Sequence, residues 1–221
     1  MASSAAQGAR HEDFNNGQLA ETLTMLRYDE ADTLRALAAI PKNSRVAFAA
    51  ACAERLFPAY EDFCRKDRRG DQAAMASILE RVWKHLLGDE IEAEQIRAEL
   101  TRCMALIPGE EDEPWIREQA YADDAASAIA YALRTLESGD PQEAAWAARR
   151  TYEAADHHVT HRLGIEDETQ VLNHPIVQAE FARQRRDLNE LRGAKRESIQ
   201  LFARLRDRAR AEALLFFASS L

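Results

Sequence analysis

The sequence predicts an all-α protein, a single-domain bundle of about seven helices that ends in a long C-terminal helix. Ala, Leu, Glu and Arg dominate the 221 residues, with only eight glycines and six prolines, which is a helical composition. Apolar residues recur every three or four positions along the chain, and no segment alternates in the manner of a half-buried strand. No repeat of fixed period interrupts this pattern. A chain of this length buries one substantial core. Residues 18–221 are therefore expected to form one helical domain behind a small, polar leader at residues 1–17.

Each element has its own signal. Residues 18–40 place Leu19, Leu23, Leu26, Leu34 and Leu37 near helical spacing, with an interruption at residues 29–32 and a stop at Pro41. Asn43 is a candidate cap for the next helix, which runs through Val46, Phe48, Cys52, Leu56 and Phe57. Pro58 either kinks that helix or starts a new one. Gly70 reads as a C-cap, and Asp71 as the N-cap of a helix carrying Met75, Ile78, Leu79, Val82, Trp83 and Leu86 that ends at Gly88.

The second half continues the pattern. Residues 91–107 carry Ile96, Leu100, Cys103, Met104 and Ile107. An acidic loop follows, and Pro114 is suited to the first position of the next helix, which is rich in alanine from Trp115 to Leu136. Asp140, Pro141 and Glu143 fit a capping box at N-cap, N1 and N3, and the helix they open is expected to reach Leu163. His174 and Pro175 then open the longest helical pattern, through Val177, Phe181, Leu188, Leu191, Ile199, Phe202 and Leu205. Gly193, which costs about 1 kcal/mol relative to alanine inside a helix, is the expected place for a bend or break. Unbroken, some 40 residues at about 1.5 Å each would span roughly 60 Å, longer than a compact bundle accommodates.

The stretch at residues 49–87 joins Cys52, Glu54, Arg55, Pro58, Tyr60, Phe63, Cys64, Gly70, Asp71, Ile78, Leu79 and Trp83. On these positions the chain resembles the YjaG-like family of bacterial proteins, a domain-of-unknown-function family. Weaker similarity at Ile107-Pro108, Ala125-Ala126 and His174-Pro175 extends it over most of the chain. The resemblance implies a helical fold and brings no mechanism with it. Glu54 and Arg55 stand out because they sit in an otherwise apolar helix, which points to a partly buried ion pair or to charges facing a groove.

Charge narrows the function classes. Thirty-eight acids against 29 bases give a net charge of −9, which argues against general nucleic-acid binding and for basic partners. From His174 onward there are ten bases and six acids, so residues 1–173 carry a net −13. The basic run at residues 65–69 and the C-terminal arginines are interleaved with acids at spacings suited to ion pairs along a helix. The three cysteines, Cys52, Cys64 and Cys103, match no zinc or disulfide framework and suit a reducing compartment. No secretory signal or membrane span is legible, so a cytoplasmic location is expected.

The chemical motifs reduce to one cluster. On a regular helix Glu153, His157 and His161 fall one turn apart on one face and can present imidazole and carboxylate ligands to Zn²⁺ or Fe²⁺, with His85 or His174 joining only through tertiary proximity. There is no second Glu-x-x-His motif, phosphate loop, Gly-x-Ser-x-Gly elbow or His-Glu-x-x-His, and no cofactor is implied. Cys52 and Cys64 lie on apolar faces as small hydrophobes, and Trp83, Trp115 and Trp146 read as core anchors.

The favoured expectation is a non-enzymatic, acidic, protein-binding protein, in its narrow form an immunity protein that neutralises a bacterial toxin such as a nuclease. The partner-binding candidates are Asp29, Glu30 and Asp32, then Glu110, Glu111, Asp112 and Glu113, then Glu166, Asp167 and Glu168. The alternatives are a metal-dependent enzyme using Glu153, His157 and His161, and a protein that self-associates as a homodimer through the apolar tail at residues 214–221.

Overall fold

The computed structural model describes residues 26–109, 117–194 and 197–218, with backbone alone for residue 117 and residues 214–218. Among the described residues there are nine α-helices and no strand, as the composition and periodicity predict. They are α1 (Glu30–Ala38), α2 (Lys42–Asp67), α3 (Gln72–Leu86), α4 (Ala93–Met104), α5 (Arg117–Ser138), α6 (Pro141–His157), α7 (Glu168–Asn173), α8 (Pro175–Gly193) and α9 (Ile199–Ala218). Sequence reasoning expected about seven. The extra elements are the short α7 and the division of the long C-terminal pattern in two.

Helix α2 is the axis of the bundle. Every residue from Val46 to Leu56 is buried, so this helix is covered all round by α3, α5, α6, α8 and α9. Alanine makes this possible. Ala47, Ala49, Ala50, Ala51 and Ala53 of α2 meet alanine-rich faces of α5 (Ala122, Ala125, Ala126, Ala132) and α6 (Ala144, Ala145, Ala148) in one core. Small side chains let helix axes approach while Phe48, Tyr60, Phe63 and Trp83 fill the wider spaces. Trp146, expected in the core, is only half-buried and lies against Tyr131. Helix α2 passes Pro58 without breaking. Proline has no N–H to donate to the Glu54 carbonyl, and burial of the surrounding faces holds the helix together.

Several ends match their local signals. Asp71 accepts the Ala74 N–H at 2.8 Å, Asp140 accepts that of Gln142 at 2.9 Å, and His174 Nδ1 accepts that of Ile176 at 3.3 Å. Others differ for tertiary reasons. Asn43 is not a cap. The α2 helix starts after an extended Pro41, and the Ser44 N–H is satisfied by the Glu197 carboxylate at 2.7 Å, an acceptor from the α8–α9 connection. Glu143 does not close a capping box with Asp140 and instead faces Arg134 at 4.0 Å. Gly70 is not the C-cap either. Arg68 takes that place in the left-handed region, φ 60°, with its N–H donated to the Cys64 carbonyl at 3.0 Å.

The helical run opened by α6 continues beyond His157 to a C-cap at Leu163, close to the expected end, but its last turn, His158–Arg162, is wound as a π-turn. This turn covers a smaller apolar cluster of Ala155, Val159, Val171, Val177 and Phe181, to which Leu26, Tyr28 and Tyr152 add. The C-terminal pattern breaks after Gly193, and α9 folds back along α2 instead of extending outward. Its buried edge is Leu201, Phe202, Leu205 and Ala209. Ion pairs also hold it: Arg206 to Glu80, Arg208 to Asp187 at 2.8 Å and Glu190 at 2.7 Å, Arg210 to Glu54 at 2.6 Å, and Glu212 to Arg186 at 2.6 Å. The side chains of the tail at residues 214–221, together with Glu110, Glu111, Asp112, Glu113, Pro114, Trp115 and the leader at residues 1–17, lie outside the described residues.

Candidate functional site

The positions that carry the family resemblance assemble a framework. Glu54 and Arg55 do not pair with each other, contrary to the simplest reading of their adjacency, because neighbouring helix residues point about 100° apart. Glu54 accepts the indole N–H of Trp83 at 2.6 Å and pairs with Arg210. Arg55 turns to α8, donating to Asp187 at 2.8 Å and Glu180 at 3.3 Å. Burial is nearly complete at Arg55 (3% exposed), Glu180 (2%) and Asp187 (0%). Burial works against the charge on Arg55, but the Glu180 and Asp187 carboxylates hold the guanidinium protonated well above its ordinary range. Tyr60, Gly70 and Asp71 meet one another: the Tyr60 hydroxyl donates to the Leu106 carbonyl at 3.0 Å and accepts from the Asp71 N–H at 3.4 Å, directly over Gly70.

A cleft of about 520 Å³ opens between α5 and α6, beside the end of the α4–α5 connection. Asp123 and Asp124 project from α5, Arg150, Glu153 and His157 from α6, and buried Gln119 forms one wall. The alternation of buried alanines along α5 leaves Asp123 and Asp124 on the edge facing α6. Asp124, 8% exposed, accepts from Arg150 at 3.1 Å. Glu153 accepts from Arg149 at 2.7 Å and faces Arg150 at 3.4 Å. Arg149 also stands 3.9 Å from Glu30, so a chain of alternating charges runs from α1 across α6 to α5. Burial pushes the Asp124 carboxyl from its ordinary 3.8 up to about 7, against the opposing pull of Arg150.

The sequence-predicted residues distribute as follows. Glu153 and His157 line the cleft, whereas His161 does not. The His157 and His161 rings lie 4.2 Å apart, and His157 meets Tyr121 edge-on at 5.1 Å. Among the described residues no group of three or more His, Cys, Asp or Glu is placed to hold a metal ion. Although the His157 and His161 rings are neighbours, Glu153 is committed to two arginines, and His161 lies in the π-turn outside the cleft that Glu153 and His157 line. Asp29 caps α1 by accepting the Asp32 N–H at 2.9 Å, Glu30 accepts from Gln142 at 2.8 Å, and Asp32 pairs with Arg35. Asp167 caps α7 by accepting the Gln170 N–H at 2.8 Å between exposed Glu166 and Glu168. Asp123, Asp124, Arg150 and Gln119 were not foreseen. The signal for them was slight, a pair of acids inside an alanine-rich helix.

A family model described as a protein of unknown function, DUF416, matches residues 32–214. The chain belongs to the DUF416 family. A crystal structure of a DUF416 family protein from Shewanella baltica OS155 has the same fold, with a TM-score of 0.70 at 20% identity over 80% of this chain and 92% of that one. No curated protein matches the chain. The DUF416 match spans both the Arg55 framework and the α5–α6 cleft.

Two expected results follow from this DUF416 geometry. Burial pushes the Cys52 and Cys103 thiols up to about 12. At about pH 8 the native protein should therefore react with Ellman's reagent at half-buried Cys64 alone, and Cys52 and Cys103 only as the chain unfolds. Asp124 is more readily protonated folded than unfolded, so its contribution to stability is present below about pH 4 and is lost as pH rises through about 7. Asp124→Asn should flatten this part of the stability profile. Near pH 8 it should cost less than about 1 kcal/mol or stabilise, because Arg150 keeps Glu153; urea unfolding across pH measures it.

Proposed function

We propose that this DUF416 protein is a non-enzymatic binding protein whose carboxylate-lined cleft receives a basic side chain or segment of a protein partner. One observation supports the reading above the rest: Asp123, Asp124 and Glu153 converge on one concave site with Arg150, next to the Glu30 end of α1. An arriving lysine or arginine would share carboxylates that Arg149 and Arg150 now balance, and the net −13 carried by residues 1–173 would steer a cationic partner towards it. Loss of the Asp124 proton strengthens the site, so affinity should rise as pH increases through about 7.

The narrow form of this reading is an immunity protein that covers the phosphate-binding cleft of a toxic nuclease. On the residues quoted above we place the chain with the YjaG-like proteins, acting in the cytoplasm. No described helix is long and apolar enough to cross a membrane. Affinity capture of the tagged full chain from its native host, washed at about 50 mM and about 500 mM salt, tests the binding reading. The expected result is a stoichiometric basic protein released by high salt. A neutral or acidic partner, or retention indifferent to salt, would overturn it. If the partner is a nuclease, its inhibition by one equivalent of the chain tests the immunity form.

A further inference from the structure

A second concavity, of about 300 Å³, lies on another face, between the segment leading into α1, α1 itself and α8. Leu26, Tyr28, Ala36, Phe181 and Leu188 give it an apolar surface. Stacking fixes that surface. The Tyr28 ring lies on Tyr152 at 5.3 Å and 7°, and Tyr152 lies on Phe181 at 5.3 Å and 26°. The Tyr28 hydroxyl donates to the Ala145 carbonyl at 3.2 Å, and Leu26 is held by exchange with Gln178, which accepts its N–H at 3.1 Å and donates to its carbonyl at 2.9 Å. The groove is thus preformed in the sense that lowers the ordering cost of binding.

Its charged lining is distinctive. Arg27 and Arg185 are both exposed, and neither has a hydrogen bond or ion pair with another described residue. Asp32, the acid of the groove, pairs with Arg35, and the Gln184 amide donates to Ala148, Thr151 and Glu180. The groove therefore offers apolar area together with two guanidinium groups that no described residue engages. An apolar body gains by burial against the aromatic and leucine surface, and a guanidinium fork matches a carboxylate through two parallel N–H···O bonds. The volume stands at the small end of ligand sites.

We propose that this groove binds a small apolar carboxylate, with its hydrocarbon part against Phe181 and Leu188 and its carboxylate between Arg27 and Arg185. The site is separate from the α5–α6 cleft and takes the opposite charge, so neither proposal depends on the other. Calorimetric titration of the full chain with octanoate, and with octan-1-ol as its neutral counterpart, tests it. The expected result is one equivalent of octanoate bound at least about tenfold more tightly than octanol, with that advantage lost in Arg27→Gln/Arg185→Gln. The thermal midpoint of this variant should match the parent, since the two arginines tether no other described residue. Asp123→Asn should leave octanoate binding intact. No octanoate binding by the full chain, equal binding of octanol, or undiminished binding by the double arginine variant would each overturn the proposal.

Discussion

Replacing Arg55 by methionine is expected to lower the unfolding free energy by about 3 kcal/mol, the cost of leaving Glu180 and Asp187 buried without their central cation. The figure stays near the lower end for a broken buried pair because the acids keep other partners. Asp187 remains bound to Arg186 at 3.1 Å and Arg208 at 2.8 Å, and Glu180 remains 3.6 Å from Arg183. Methionine retains the volume and the apolar stem, so loss of packing is small. The partner test is Arg55→Met with Asp187→Asn. If the network acts as a unit, the double variant should lose less than the sum of the single losses, with a coupling of about 1–3 kcal/mol in urea unfolding. Strict additivity would show that the contacts do not cooperate.

Gly70→Ala should cost about 2–4 kcal/mol, from a positive backbone angle and a steric conflict together. Gly70 has φ +77°, and a Cβ there would stand 2.8 Å from the Tyr60 hydroxyl and 3.0 Å from Cys64 Sγ. Tyr60 cannot swing aside cheaply, since its ring is fully buried and its hydroxyl is bonded to the Leu106 carbonyl. Two other glycines separate the causes. Gly164 has φ +71° with open space around it, so Gly164→Ala should show the backbone cost alone, about 1 kcal/mol. Gly193 has neither constraint, and Gly193→Ala should be neutral or stabilising by up to about 1 kcal/mol. Thermal and urea unfolding of the three variants should place them in that order.

These contrasts mark what was legible in the sequence. Features fixed by a few neighbouring residues were readable: Asp71 and Asp140 as N-caps, His174-Pro175 as a helix start, Gly88 as a stop, and the apolar face through Met75, Ile78, Val82 and Trp83. Features fixed by distant residues were not. Asn43 looked like a cap until Glu197, remote in sequence, supplied the acceptor. The adjacency of Glu54 and Arg55 suggested one pair, whereas each is satisfied by partners from other helices.

The site was legible only in part. Glu153 and His157 were singled out by spacing, but the spacing assumed an unbroken α-helix, and the π-turn at His158–Arg162 removes His161 from the cleft. Asp123 and Asp124 carried no motif. Their meaning comes from the approach of α5 to α6, which is set by alanines whose contact no local pattern specifies. The groove with Arg27 and Arg185 was hidden for a related reason: which arginines lack a described partner is set by the packing of distant helices, not by local spacing.

The measurement that bears most directly on the binding reading compares two tagged chains in capture from the native host. One is the parent and the other carries Asp123→Asn, Asp124→Asn and Glu153→Gln, changes that keep size and leave the Arg55 framework intact. The account predicts that the variant folds, with a thermal midpoint within about 4 °C of the parent, and no longer retains the basic protein that the parent retains. Retention of the same partner at the same level by both chains would contradict it.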